Sequence, residues 1–238
     1  FDIDGMDALH KVALLASIAH GRSVDYRKLS VEGIRTITAL DIRMAEELGY
    51  EVKLLGVVER KDSGEILAAV YPALLEKDHQ LASVHGVLNA VYLKTSAAGP
   101  LLLTGAGAGK LPTASSILAD LVAVGRLCGP GGATPPRMDF FDERHAAALM
   151  PIDDLETEFY LRLTTVDKPG VLSRVTGILG EEGISIRALT QKPEHDAENV
   201  PVIILTHAAR NARVMAALKR IDALDVIRDA TRVIRFYK

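Results

Sequence analysis

The sequence predicts an α+β protein in two parts: a helix-covered, mostly antiparallel sheet followed by a βαββαβ unit. Three observations predict it. Apolar residues recur at helical spacing in some windows and alternate in others, each bounded by glycine or a turn-forming pair. A stretch over residues 129–157, rich in glycine and proline, separates the two parts. The chain has 238 residues, 48% of them hydrophobic, which suffices for real cores and excludes a disordered chain.

Each element has a local cause. Residues 6–20 are rich in Ala and Leu, enter through Asp4-Gly5 and stop at Gly21, which predicts a largely buried helix with a glycine C-cap. Thr38 is placed to cap a second helix over 39–48 that ends at Gly49. Residues 51–60 and 65–74 read as strands around Asp62-Ser63-Gly64, and 87–96 and 100–104 as a second pair around Ala98-Gly99. A glycine run at 105–109 opens a helix over about 112–127, with Pro112 in its first turn. Beyond 129–157, with its Gly129-Pro130-Gly131-Gly132, Pro135-Pro136 and Pro151, the pattern sharpens. Phe159, Leu161 and Leu163 alternate with Tyr160, Arg162 and Thr164 as in a strand. Asp167-Lys168-Pro169-Gly170 turns into a helix carrying Leu172, Val175 and Leu179 on one face. Strands from Ile184 and over 200–206, a helix over 210–221 and a strand over 226–236 complete a ferredoxin-like order. The domains are thus 1–128, a linker at 129–157, and 158–238.

Composition narrows the function. The net charge of −3 gives no electrostatic footprint for nucleic acid or an anionic membrane. The apolar stretches read as interrupted by charge or glycine well short of the roughly 20 residues of a membrane span. One cysteine, Cys128, permits no internal disulfide and points to a reducing compartment. Seven scattered histidines without an H-x-x-x-H pair make a metal site improbable. The chain opens without Met or a signal core, and it reads as a fragment of a longer protein.

Three motifs can carry chemistry. Asp7 and Lys11 stand at i and i+4 on the first helix. The plain reading is a surface ion pair. The sharper one is an acid–base lysine at the border of an apolar helix, with Asp2 adding a carboxylate at the positive helix end. Gly105, Ala106 and Gly107 precede a helix, which suits either a tightly packed strand–helix turn or a contact to a cofactor or neighbouring domain. The run fails the P-loop pattern, because Thr104 and Leu111 stand where glycine and Ser/Thr are needed. At the turn before Val171 and Leu172, Gly170 leaves room for a small ligand's carboxylate at a helix N-terminus; an ordinary turn accounts for the same residues.

Asp2, Gly5, Asp7 and Lys11 spell D-x-x-G-x-D-x-x-x-K, which resembles the signature of homoserine dehydrogenases. Residues 79–91 and 105–115 look like the same family's catalytic domain, and the tail is similar to the ACT domains that bacterial members carry. The resemblance implies NAD- or NADP-dependent interconversion of L-homoserine and L-aspartate 4-semialdehyde, in threonine, methionine and isoleucine biosynthesis. It implies that Lys11 transfers the proton, that Asp7 holds the substrate amino group or orients Lys11, and that Asp2 helps bind substrate. It implies that Gly105, Ala106 and Gly107 face the nicotinamide domain. It further implies an amino-acid effector, threonine first, at Asp167, Pro169, Gly170, Val171 and Leu172. It also implies a cytoplasmic homodimer or homotetramer, without nucleic acid, membrane or metal.

The sequence departs from the family where the glycine fingerprint of a nucleotide-binding domain, a second lysine and an upstream acidic substrate ligand would stand. His85 replaces an Asn common in relatives. The expectation is therefore that this chain alone does not turn over homoserine. The alternative is a non-enzymatic ACT-type amino-acid sensor.

Overall fold

The computed structural model describes residues 1–128, 143–191 and 199–238. The chain divides into two units by packing, Phe1–Leu75 with Phe140–Lys238 and Glu76–Asp139.

In the first unit, α1 (Met6–His20) starts after Gly5, whose φ of 78° lets the chain turn sharply into the helix. Gly21 caps the other end in the left-handed region. Leu9, Val12, Ala13 and Ala16 are buried, whereas Leu14, Leu15 and Ile18 face solvent, so the helix is buried on one face rather than throughout. Helix α2 (Ala39–Glu47) begins in a full capping box: the Thr38 side chain accepts from the Asp41 N–H, and the Asp41 carboxylate accepts from the Thr38 N–H.

The strands are β1 (Ser30–Val31), β2 (Tyr50–Arg60), β3 (Ile66–Glu76), β4 (Leu88–Thr95), β5 (Gly99–Ala106), β6 (Glu156–Thr157), β7 (Phe159–Val166), β8 (Ile186–Gln191), β9 (Asn199–Thr206), β10 (Ala209–Arg210) and β11 (Ile227–Phe236). Among the described residues one seven-stranded sheet runs β1-β3-β11-β7-β9-β8, with β2 also on β3. Its β11-β7-β9-β8 part is antiparallel and joined through α4 (Val171–Glu181) and α5 (Asn211–Asp222) in the expected βαββαβ order. β3 meets β1 (Ser30 opposite Ala69) and β11 (Phe236 opposite Leu74) in parallel register. A ladder thus crosses from the first part of the chain into the last. β3 is buried from Ile66 to Leu75, as a strand covered on both faces must be.

Two layers cover the βαββαβ part. α4 and α5 bury Phe159, Leu161 and Leu163 on one face. On the other, Tyr160, Ile203 and Leu205 pack with Met44 and Ala45 of α2. The polar half of the alternation in β7 therefore faces a helix, not water. α1 covers β3 from its own side, through Val12 and Ala16 with Ala68 and Val70.

The first part of the linker expected at 129–157, residues 129–142, lies outside the described residues. Its later part is tied down: Ser23 donates to the His145 carbonyl at 2.9 Å, and Ile66 to that of Ala148 at 2.9 Å. Residues 192–198, between the strands expected from Ile184 and over 200–206, likewise lie outside the described residues.

The second unit contains the antiparallel β4–β5 hairpin, paired from Leu88–Ala106 to Thr95–Gly99, and α3 (Lys110–Cys128). α3 runs straight through Asp120, Gly125 and Arg126, so these residues do not interrupt it. By length and composition it is long and apolar enough to cross a membrane. The expectation that every apolar stretch falls well short of that length is corrected here.

Candidate functional site

The Asp2–Lys11 segment is built by its backbone. Gly5 N–H donates to the Asp2 carbonyl at 3.0 Å and Met6 N–H to that of Phe1 at 3.1 Å, folding the five residues before α1 into a tight turn. One turn into the helix, Lys11 Nζ donates to Asp7 Oδ2 at 2.6 Å. Their side chains are 58% and 47% exposed, and the charge of Asp7 suits the helix's first turn. Asp2, at the start of the turn, is exposed as well. The apolar burial that would favour a neutral lysine is not supplied by this chain. At that exposure the pair itself is worth only a few tenths of a kcal/mol, which leaves its geometry free to answer to a substrate.

Sequence reasoning missed the neighbours of this segment. Asp4 accepts from Arg35 on both oxygens, at 3.0 Å from Nη2, and this holds its carboxyl below the ordinary aspartate range. The His10 ring stands edge-on between Phe1 at 5.6 Å and Tyr26 at 4.5 Å. Only the helical spacing of His10 gives any hint of this.

Gly105, Ala106 and Gly107 lie in the other unit, at the end of β5 and just beyond it. Gly107 N–H donates to the Val87 carbonyl at 2.9 Å, and a Cβ on Gly107 would stand 2.1 Å from the Asn89 amide nitrogen. Gly107 thus answers to close packing within the hairpin. Gly105 pairs with Asn89 across the hairpin and is exposed, with open space where a side chain would stand.

The five residues singled out at the strand–helix turn meet in one place. Asp167, Pro169, Gly170, Val171 and Leu172 line a cavity of about 160 Å3, with Gln191 of β8 across it. Gln191 Nε2 donates to Asp167 Oδ1 at 3.5 Å. Gly170 takes φ 88° immediately before α4, whose first residues, Val171 and Leu172, line this cavity.

The polar groups buried deepest lie elsewhere; the sequence signals Asp41 only as the third residue of the Thr38 capping box, and its partners not at all. Asp41 is fully buried and Arg162 nearly so; Arg162 Nη2 donates to Asp41 Oδ2 at 2.9 Å, and the Tyr160 hydroxyl to Asp41 Oδ1 at 3.2 Å. Burial pushes the Asp41 carboxyl up, but hydrogen bonds from Arg162 and Thr38 outweigh it and hold it below the ordinary value of 3.8. Tyr160 is raised by burial and then by Asp41. Arg235 donates to both oxygens of Glu32, at 2.7 and 2.8 Å, and lies over the Tyr71 ring at 5.1 Å. Burial pushes Tyr71 up to about 12, against the pull of Arg235.

Fold and site together define a chain with an ACT half: residues 159–223 match the family model of the ACT domain. Residues 1–122 match the model of homoserine dehydrogenase, and the chain belongs to that family. A homoserine dehydrogenase of Pseudomonas aeruginosa is 41% identical over 94% of this chain and 52% of its own length. One of Neisseria gonorrhoeae is 37% identical over 99% of this chain and 54% of its own. The crystal structure of a homoserine dehydrogenase from Thiobacillus denitrificans superposes with a TM-score of 0.87 at 40% identity, over 100% of this chain and 54% of that one. A Staphylococcus aureus homoserine dehydrogenase, at 24% identity and TM-score 0.65, shares the fold. The chain spans about half the length of the curated relatives it matches.

Proposed function

We propose that the protein to which this chain belongs interconverts L-homoserine and L-aspartate 4-semialdehyde, with NAD or NADP, in threonine, methionine and isoleucine biosynthesis. Membership of the family supports the reaction class, and the Lys11–Asp7 pair at 2.6 Å on the exposed face of α1 carries the assignment of roles. A bound nicotinamide would supply the hydride acceptor for C4 of homoserine. Lys11 takes the hydroxyl proton as the carbonyl forms and returns it in the reverse direction. For that the amine must enter the step neutral, which needs cover over Lys11 that the rest of the full-length protein would provide. Asp7 orients Lys11 or holds the substrate ammonium, and Asp2 adds a second carboxylate for that ammonium. Gly105, Ala106 and Gly107 offer backbone to the nicotinamide.

In this reading residues 1–128 form the catalytic and dimerisation domain and 158–238 the regulatory ACT domain. The effector is an amino acid, threonine first, taken up by Asp167, Pro169, Gly170, Val171 and Leu172. The 160 Å3 cavity before α4 supports this, since it matches a small α-amino acid whose carboxylate meets the helix N-terminus. The protein is cytoplasmic and assembles as a homodimer or homotetramer, and exposed apolar side chains on β4, β5 and α3 support assembly. This chain alone is expected to be inactive.

The test is nucleotide reduction by the full-length protein with homoserine, beside this chain alone. Turnover by the first and none by the second is expected. Activity of the chain alone would overturn the division of labour. An inactive full-length protein that binds threonine by calorimetry would make it a sensor.

A further inference from the structure

We infer that Arg235 of the last strand is a positioning residue for the Asp2–Lys11 segment, acting through Glu32; its bearing on catalysis rests on the function proposed above. Arg235 is 2% exposed on its side chain, and its guanidinium is satisfied on two sides. Nε and Nη2 donate to Asn211 Oδ1 at 3.1 and 2.8 Å, at the first residue of α5. Nη1 and Nη2 donate to the two oxygens of Glu32 in a forked pair. The arginine is therefore fixed within the ACT half, while Glu32, 45% exposed, is the partner that can let go into water.

Glu32 leads directly into the frame of the Asp2–Lys11 turn. Its backbone continues the pairing of β1 with β3 by donating to the Val70 carbonyl at 2.7 Å. Gly33 lies so close to the turn that a Cβ would stand 2.2 Å from the Ile3 carbonyl oxygen and 2.7 Å from Asp4 Cα. Ile34 N–H then donates to that same Ile3 oxygen at 2.9 Å, and Arg35 grips the Asp4 carboxylate. A Cβ on Gly5 would meet Val31 and Val70 at 3.1 Å each, so the turn is clamped from below as well. Each link is a direct contact within one unit, and the series runs from α5 and β11 through residues 32–35 to the turn that aims Asp7 and Lys11. Among the described contacts Arg235 and Glu32 meet each other, Asn211, Tyr71 and Val70 rather than Asp2, Asp7 or Lys11, which separates positioning from catalysis.

The full-length protein tests this with two variants. Glu32→Gln keeps the shape and removes the charge at a half-exposed position, so folding is retained. Arg235→Lys keeps the charge and loses the fork. In Glu32→Gln the KM for homoserine is expected to rise about 10-fold, with the nucleotide KM and kcat moving less than about twofold, because misplacement acts on substrate grip. By hydrogen exchange, the amides of Gly5, Met6 and Leu9 should open about 10-fold faster, while those of β7 and β9 keep their rates. Arg235→Lys should fall between Glu32→Gln and the unaltered protein in both readouts. Unchanged exchange at Gly5, Met6 and Leu9 in both variants would overturn the inference. Equal loosening of β7 and β9 would do so too, since it would make the contact purely structural. If the unaltered protein fails to oxidise homoserine, the proposed function falls, and the exchange pattern still decides whether Arg235 sets the turn.

Discussion

The two units use similar sequence patterns to opposite ends. In Phe1–Leu75 with Phe140–Lys238, apolar faces find partners: β3 is buried along ten residues, Ile66 to Leu75, and the helices bury one face each. In Glu76–Asp139 the described buried core comes down to Ala82, while Ile117, Leu118 and Leu121 of α3 stand 56%, 62% and 63% exposed. A lone hairpin and a lone helix are each marginal in water. Periodicity alone therefore does not make a core; a second layer does.

If that contrast is right, changes on open surfaces alter what the protein does, and changes in the covered unit alter whether it holds together. The largest effect belongs to Lys11. Lys11→Ala in the full-length protein should lower homoserine turnover about 10²- to 10⁴-fold, as loss of a proton acceptor does. Its melting temperature should stay put, because the lysine is 58% exposed; a large thermal shift would break the contrast. Next comes Asp41→Asn, which strands Arg162 in the interior and should cost about 3–5 kcal/mol in denaturant unfolding. The same pair sets a pH limb. The folded value of Asp41 lies below the ordinary 3.8, so its stabilisation is complete above that pH and is lost as pH falls through the folded value. Acid titration of Asp41→Asn should lack this component.

A smaller effect, read by mass rather than activity, is expected from Leu118→Glu with Leu121→Glu. Sedimentation should show a smaller assembly with unchanged far-ultraviolet circular dichroism, and an unshifted mass would remove α3 from the interface. Smallest is Gly170→Ala. At φ 88° the added Cβ should cost about 1 kcal/mol of stability and weaken threonine binding in calorimetry of the full-length protein.

Much of the fold is legible because its causes are local. Thr38 before an apolar run has a nearby reason to cap, and Gly21 and Gly170 stop or start helices for reasons within their own turns. The ion pair of Asp7 and Lys11 follows from helical spacing alone. What has no local cause is illegible. Asp41 and Arg162 lie 121 residues apart, and each alone reads as an ordinary polar position. Arg162 looks like the solvent half of an alternating strand until α2 covers that face. The packing reason for Gly107 is likewise out of local reach, because the Asn89 side chain beside it stands on the other strand of the hairpin. Asp4 is overlooked beside Asp2 and Asp7 because Arg35, its partner, arrives 31 residues later.

The salt bridge between Glu32 and Arg235 joins residues 203 apart, and β3 finds a parallel partner in β11 only at Arg235 and Phe236. During synthesis, α1 and β3 leave the ribosome long before the strand that completes their sheet, and the early half must wait with an unpaired edge. Local pieces such as α1 and α2 can form at once, but closing so long a loop is slow. The waiting β3, apolar from Ile66 to Leu75, is the segment for which a chaperone would compete. The last strand thus has a duty at birth: it seals the sheet on which α1 is seated.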